Sequence, residues 1–94
     1  MSEGVVKAAK GLIRAEVKVK NGKIEKVKIS GDFFLYPPEA LWDLEKELVG
    51  VRLDPFELRR IVEKFFTERK IVTPLVSIED FVKALLRGAG VEKD

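Results

Sequence analysis

A chain without histidine or cysteine must do any chemistry with hydroxyls, carboxylates and amines, and this sequence has neither residue. The commonest general base and metal ligand is therefore missing, along with thiolate ligation and disulfides. Ser30, Thr67, Thr73 and Ser77 have no imidazole to activate them. Ser77 stands just before Ile78-Glu79-Asp80 and reads as a helix cap. Glu45, Glu47, Glu57, Glu63 and Glu68 fall among Lys and Arg at helical spacing, the pattern of a solvated face rather than of carboxylates paired in a cleft. Gly4 has no second glycine near enough to begin a phosphate-cradling loop.

The basic residues offer recognition rather than catalysis. Arg14, Lys18, Lys20, Lys26 and Lys28 share one face of a candidate hairpin. That face fits a small nucleic-acid-binding module, or the wet side of a sheet whose lysines discourage edge pairing. No aromatic residue is interleaved with them to stack on bases, which favours the second reading. Arg59, Arg60, Lys64, Arg69 and Lys70 fit an exposed helix face in the same way. With 18 basic against 16 acidic residues the net charge is only +2, too small for a strong overall field.

Ser30-Gly31-Asp32-Phe33-Phe34 is different in kind. Glycine permits a sharp turn or a close backbone approach, and Asp32 offers an acceptor beside two large rings. Adjacent residues of an extended run point to opposite faces, so one ring can enter the core while the other meets a partner or is covered by a helix. The alternative, with both rings internal and Asp32 a turn acceptor, stands equally open.

The elements that must position these residues follow from periodicity and punctuation. From Leu12 to Lys20, Ile13, Ala15, Val17 and Val19 alternate with Arg14, Glu16, Lys18 and Lys20, a half-buried strand. Lys23 to Ser30 forms its partner, with Asn21-Gly22 between them as the hairpin signal. A three-residue loop, Lys20-Asn21-Gly22, keeps apolar residues opposite one another by pairing Ala15 with Val27 and Ile13 with Ile29. Ile24 then faces the wrong way, which calls for a bulge beside the turn or partial cover of the outer face. Phe33 to Tyr36 reads as a short third strand or an extended segment. Helix one starts at Pro38 and presents Leu41, Leu44, Leu48 and Val49 up to a cap at Gly50. Asp54-Pro55-Phe56-Glu57 opens helix two with a capping box, and Phe56, Ile61, Val62 and Phe65 line its inner face to about Arg69. Ser77 and Asp80 cap helix three, whose stripe of Ile78, Phe81, Val82, Leu85 and Leu86 ends at Gly88 and Gly90. Val91 to Asp94 is a frayed tail.

These elements imply one domain over residues 1–94 and an α+β class: a two-layer fold in which a small antiparallel sheet, begun by the hairpin, packs against about three helices. The Met1-Ser2-Glu3-Gly4 start lacks a signal-peptide pattern and no apolar run reaches spanning length, so no membrane partner and a cytoplasmic location are expected.

ISGDFFLYP, Ile29 to Pro37, followed by Glu39-Ala40-Leu41-Trp42-Asp43-Leu44-Glu45, resembles the C-terminal domain of lipoate-protein ligases. Gly11 to Phe34 is similar to that domain's first hairpin, and Val76 to Gly88 to its last helix. The resemblance implies a fold similar to NifU/SufE-like domains of iron-sulfur assembly. It also implies a non-catalytic role beside a larger catalytic subunit that activates lipoate with ATP to lipoyl-adenylate and transfers it to lipoyl acceptor domains. The start at Met1 suggests the split arrangement, with the small part as a separate accessory subunit that is inactive alone. No cofactor is then bound by this chain alone; ATP, Mg and lipoate belong to the complex. The implied interface candidates, on the partner or adenylate side, are Lys7, Lys10, Gly31, Asp32, Phe33, Phe34 and Tyr36. The family commonly approaches the first strand through Gly-Gly-Lys-Leu, whereas this chain reads Lys7-Ala8-Ala9-Lys10-Gly11-Leu12, so Lys10 is only a candidate for the family lysine.

Overall fold

The computed structural model describes residues 2–8, 11–74 and 76–90. Strands β1 (Ser2–Ala8), β2 (Gly11–Lys20) and β3 (Lys23–Asp32) form an antiparallel sheet in the order β1-β2-β3. Helices α1 (Ala40–Leu48), α2 (Pro55–Arg69) and α3 (Ile78–Gly88) follow. The architecture is the expected α+β fold, with the sheet starting one strand earlier than the hairpin. β1 pairs Val5 with Arg14 and Lys7 with Leu12. Its consecutive Val5-Val6, set among Ser, Glu and Gly, carries no clean alternation by which to read it.

The hairpin register differs from the expected one. Lys20 pairs with Lys23 across a two-residue turn in which Asn21 (φ 54°) and Gly22 (φ 74°) both take left-handed backbone. This is the geometry that Asn-Gly favours in tight hairpins. A bulge beyond Lys18 and Val19 then shifts the pairing by one residue, so that Val17 meets Val27 and Ala15 meets Ile29. The bulge restores the parity that a two-residue turn breaks, and it turns Ile24 into the core, where it is buried. Ile24 is held there by Gly50 and Val51: its N–H donates to the Val51 carbonyl at 2.9 Å and its carbonyl accepts from the Gly50 N–H at 2.7 Å.

Helix ends follow side-chain chemistry closely. Helix one begins at Ala40, two residues after Pro38, because Pro37 and Pro38 accept in a tight turn from the N–H groups of Ala40 and Leu41. Asp54 caps α2 by accepting from Phe56 N–H at 2.9 Å. Glu57 does not close the expected box: its carboxylate takes Arg60, while the Asp54 N–H donates to the Arg52 carbonyl. At the far end Lys70 is left-handed (φ 53°), with Ile71 N–H to Phe66 O and Lys70 N–H to Thr67 O, the bond pair of a Schellman motif. The Ser77–Asp80 box forms in full, at 2.9 and 3.2 Å.

All three helices lie on one face of the sheet, and a single core gathers Ile13, Ala15, Val17 and Ile29 with Leu44, Leu48, Leu58, Val62, Phe81 and Leu85. The inner face of α2 runs from Leu58 through Val62 to Phe65 and Phe66. Phe56, expected on that face, is instead 84% exposed, since it lies on the first turn, out of phase with the Leu58 stripe. Gly88 lies inside α3 rather than past its end. A β-carbon there would be 2.6 Å from the Ala15 carbonyl oxygen and 3.0 Å from a Val17 methyl, so the glycine permits a close helix-to-strand approach. No helix among the described residues is long and apolar enough to cross a membrane.

Two substitutions separate the roles of these backbone positions. Gly88→Ala is expected to lower stability by about 1–3 kcal/mol despite its better helix propensity, because the Ala15 backbone must give way. Lys70→Gly should raise stability by about 0.5–1 kcal/mol by relieving left-handed strain. In thermal denaturation these correspond to shifts of about 4–8 °C per kcal/mol, in opposite directions.

Candidate functional site

The segment after β3 is set by Gly31, whose φ of 144° is open to glycine alone and whose added β-carbon would sit 2.0 Å from the Leu12 carbonyl oxygen. Here the chain leaves the sheet without losing its alternation. Asp32 faces out, Phe33 in, Phe34 out, Leu35 in and Tyr36 out. The segment is extended and joins no sheet, the second of the two forms expected for it. It is fixed by one antiparallel bridge, in which Tyr36 N–H donates to Val72 O at 2.9 Å and Val72 N–H to Tyr36 O at 3.0 Å. Val72 follows helix two, so the pairing partner is far along the chain.

Of the two open readings of the aromatic pair, the structure realises the split one. Phe33 is half-buried and meets Phe81 edge-on, centroids 5.3 Å apart at 88°, and Phe81 meets Phe66 at 5.3 Å and 73°. The rings tie the segment to α3 and α2, with contacts worth about 0.5–1.5 kcal/mol each beyond their area. Phe34 is 72% and Tyr36 63% exposed. With Leu12, paired opposite Asp32, and Val72, paired opposite Tyr36, they make an exposed ridge of mostly apolar side chains. Asp32 adds a carboxylate to it that bonds to no described side chain. Leu12 and Val72 were not singled out from sequence. Leu12 did leave a signal, as an apolar residue on the polar side of its strand's alternation. Val72 left none, because only the fold brings it to Tyr36.

Of the other candidates, Lys7 belongs to β1 and to the same cross-strand row as Leu12 and Asp32. Lys10 lies outside the described residues. The hairpin's outer face is mixed in charge: Lys18 pairs with Glu25 at 3.1 Å, and Glu16 lies opposite Lys28. Arg59 bridges to Glu79 at 2.5 Å and Arg69 to Asp43 at 2.8 Å, so part of the basic group on α2 ties helices together. Among the described residues no cluster of His, Cys, Asp or Glu could hold a metal ion. The ridge is thus an exposed, mostly apolar surface with a core-anchored aromatic behind it.

A family model for the C-terminus of bacterial lipoate protein ligases matches residues 4–85, taking in all of β2, β3, the ridge segment and the first two helices. The chain belongs to that family. Lipoate-protein ligase A subunit 2 of Thermoplasma acidophilum is 37% identical over 79 residues, spanning 84% of this chain and 81% of its own length. The backbone is similar, with a TM-score of 0.81 at 34% identity, to a chain in the solved structure of an archaeal lipoylation system from Thermoplasma acidophilum, described as a bi-partite lipoate protein ligase and its E2 lipoyl domain. That similarity covers 89% of this chain and 93% of the solved one.

Replacing the two neighbouring rings should have opposite signatures. Phe33→Ala removes an inner ring and should cost about 2–4 kcal/mol. Phe34→Ala changes an exposed one and should leave stability within about 0.5 kcal/mol. Chemical denaturation of both variants measures the contrast.

Proposed function

We propose that this chain is the accessory subunit of a two-part lipoate-protein ligase. It docks through the Leu12–Phe34–Tyr36–Val72 ridge on a separate catalytic subunit and supports the ATP-dependent activation of lipoate to lipoyl-adenylate. One observation carries the reading: Phe34 and Tyr36 stand out in water while their neighbours Phe33 and Leu35 are tied to the core. Exposed aromatic residues with rigid backing are what interface anchors require, since Tyr and Phe bury large area with little rotamer entropy to lose. The family membership and the similarity to a subunit 2 support a ligase catalytic subunit as the partner.

In this reading ATP, Mg and lipoate bind in the complex, and the acceptor lipoyl domains meet this chain only indirectly. The chain's own contribution is to close the site around the adenylate. The row Lys7–Leu12–Asp32 brings the end of β1 beside the ridge. A docked partner therefore has the end of β1 at its border, and in this reading Lys7 or Lys10 supplies an ammonium that stabilises phosphate charge developing during adenylation.

Lipoyl-adenylate formation by the catalytic subunit should rise roughly tenfold or more on adding this chain. Phe34→Ala/Tyr36→Ala should bind that subunit with at least about 2 kcal/mol less free energy, roughly 30-fold in Kd, while keeping its circular dichroism spectrum. Adenylate formation unchanged by the wild-type chain would overturn the proposal.

A further inference from the structure

β3 is an edge strand, and its outward backbone is met at two positions. At one end Ile24 is paired with Gly50 and Val51. At the other, Ile29 N–H donates to Glu45 Oε2 of α1 at 2.6 Å. Hydrogen-bonding groups alternate sides along an antiparallel strand, so Val27, two residues from Ile29, turns its N–H and carbonyl the same way. No described group outside the sheet meets them. The opening between the two guarded positions is roughly 16 Å long, from a rise of about 3.3 Å per residue.

A groove of about 390 Å³ lies over this opening, between β3 and α1. Its apolar lining is Val27, Val49 and Trp42, the last 67% exposed. Lys26, Lys28 and Lys46 also line it and have no ion-pair partner among the described residues. Two acids also line it: Glu25 pairs with Lys18, and Glu45 accepts from the Ile29 N–H while keeping its charge, so the lysines outnumber the carboxylates by one. An open backbone pair, an aromatic shelf and three ammonium groups that belong to no ion pair among the described residues thus converge on one short slot.

We infer that this groove binds a short, acidic, extended segment of a partner protein. One residue of the segment pairs with the Val27 N–H and carbonyl, an apolar side chain rests on Trp42 and Val49, and flanking carboxylates meet Lys26, Lys28 and Lys46. The guards at Ile24 and Ile29 limit the paired stretch to three or so residues, which makes the site a clip for a motif rather than an edge for a whole added sheet. It lies on β3 and α1, apart from the ridge segment that follows β3, and needs no catalytic subunit to be tested.

Trp42 is the chain's single tryptophan, so its emission reports on the groove. The full chain is titrated with an end-blocked hexapeptide alternating glutamate and valine, and with the counterpart carrying lysine for glutamate. Saturable blue-shift or quenching is expected with the acidic peptide alone. Its half-saturating concentration should rise at least about tenfold between low and high salt, as screening weakens the lysine contacts. Lys26→Glu/Lys28→Glu should reverse the preference toward the basic peptide, and Lys46→Glu, on the helix side, should weaken acidic-peptide binding without touching the hairpin. The proposal is overturned by no response to the acidic peptide at millimolar concentration or by equal responses to both peptides. It is equally overturned by a concentration-dependent emission change without peptide, which would assign the groove to a second copy of the chain.

Discussion

The 2.6 Å between a hypothetical Gly88 β-carbon and the Ala15 carbonyl oxygen sets how near α3 can lie to the sheet, and the layers depend on that spacing. Ala15 and Ala84, both fully buried, keep the contact small on either side. With α3 close, Phe81 is placed between Phe33 and Phe66, and one ring joins the ridge segment to α2. A bulkier residue at 88 would lift α3 and loosen that ring contact, although Gly88 touches no part of the ridge. The fold therefore transmits packing from the sheet to the surface through a few large side chains.

The sheet edges answer to a second constraint. An unpaired strand edge invites association with other chains, and short charged contacts are one means of preventing it. β3 is met by the Glu45 carboxylate and by the Gly50–Val51 backbone. On β1, the Val5 carbonyl accepts from an Arg87 guanidinium N–H at 3.1 Å. The register agrees with this: Ala15 turns its polar groups toward β1 when Ile29 turns its own away from β2, which leaves Val5 facing outward. Each guarding side chain comes from a helix that also packs in the core, so edge protection and layer packing reinforce each other.

What was legible in the sequence was what local chemistry determines. The two hairpin faces, the Ser77–Asp80 cap and the α3 stripe follow from spacing, whereas the split of Phe33 from Phe34 was one of two readings open in the sequence and is decided by the Phe33–Phe81 contact. The register was not legible, because a three-residue loop and a two-residue turn with a bulge both return apolar residues to one face. Only tertiary contacts separate them: Ile24 has Gly50 and Val51 to bond when the bulge turns it inward. Phe56 misled because a large apolar residue on a helix's first turn looks like the start of a stripe, while the stripe begins at Leu58. The ridge was half legible, as Phe34 and Tyr36 are local but the Val72 that completes it is brought by a single bridge.

Surface aromatics need a reason when their neighbours are anchored. Moving Phe34 or Tyr36 inward would require breaking the alternation fixed by Phe33 and Leu35 and the bridge to Val72, so their exposure is imposed by the backbone. A partner that covers them gains apolar burial without having to order the segment first, because Gly31 and the Phe81 contact have already ordered it. Reactive side chains would gain little from such a place, since the ridge is open to water, where charge stabilisation is weakest. The same surface becomes useful to chemistry when a second protein closes over it and supplies the low-dielectric wall.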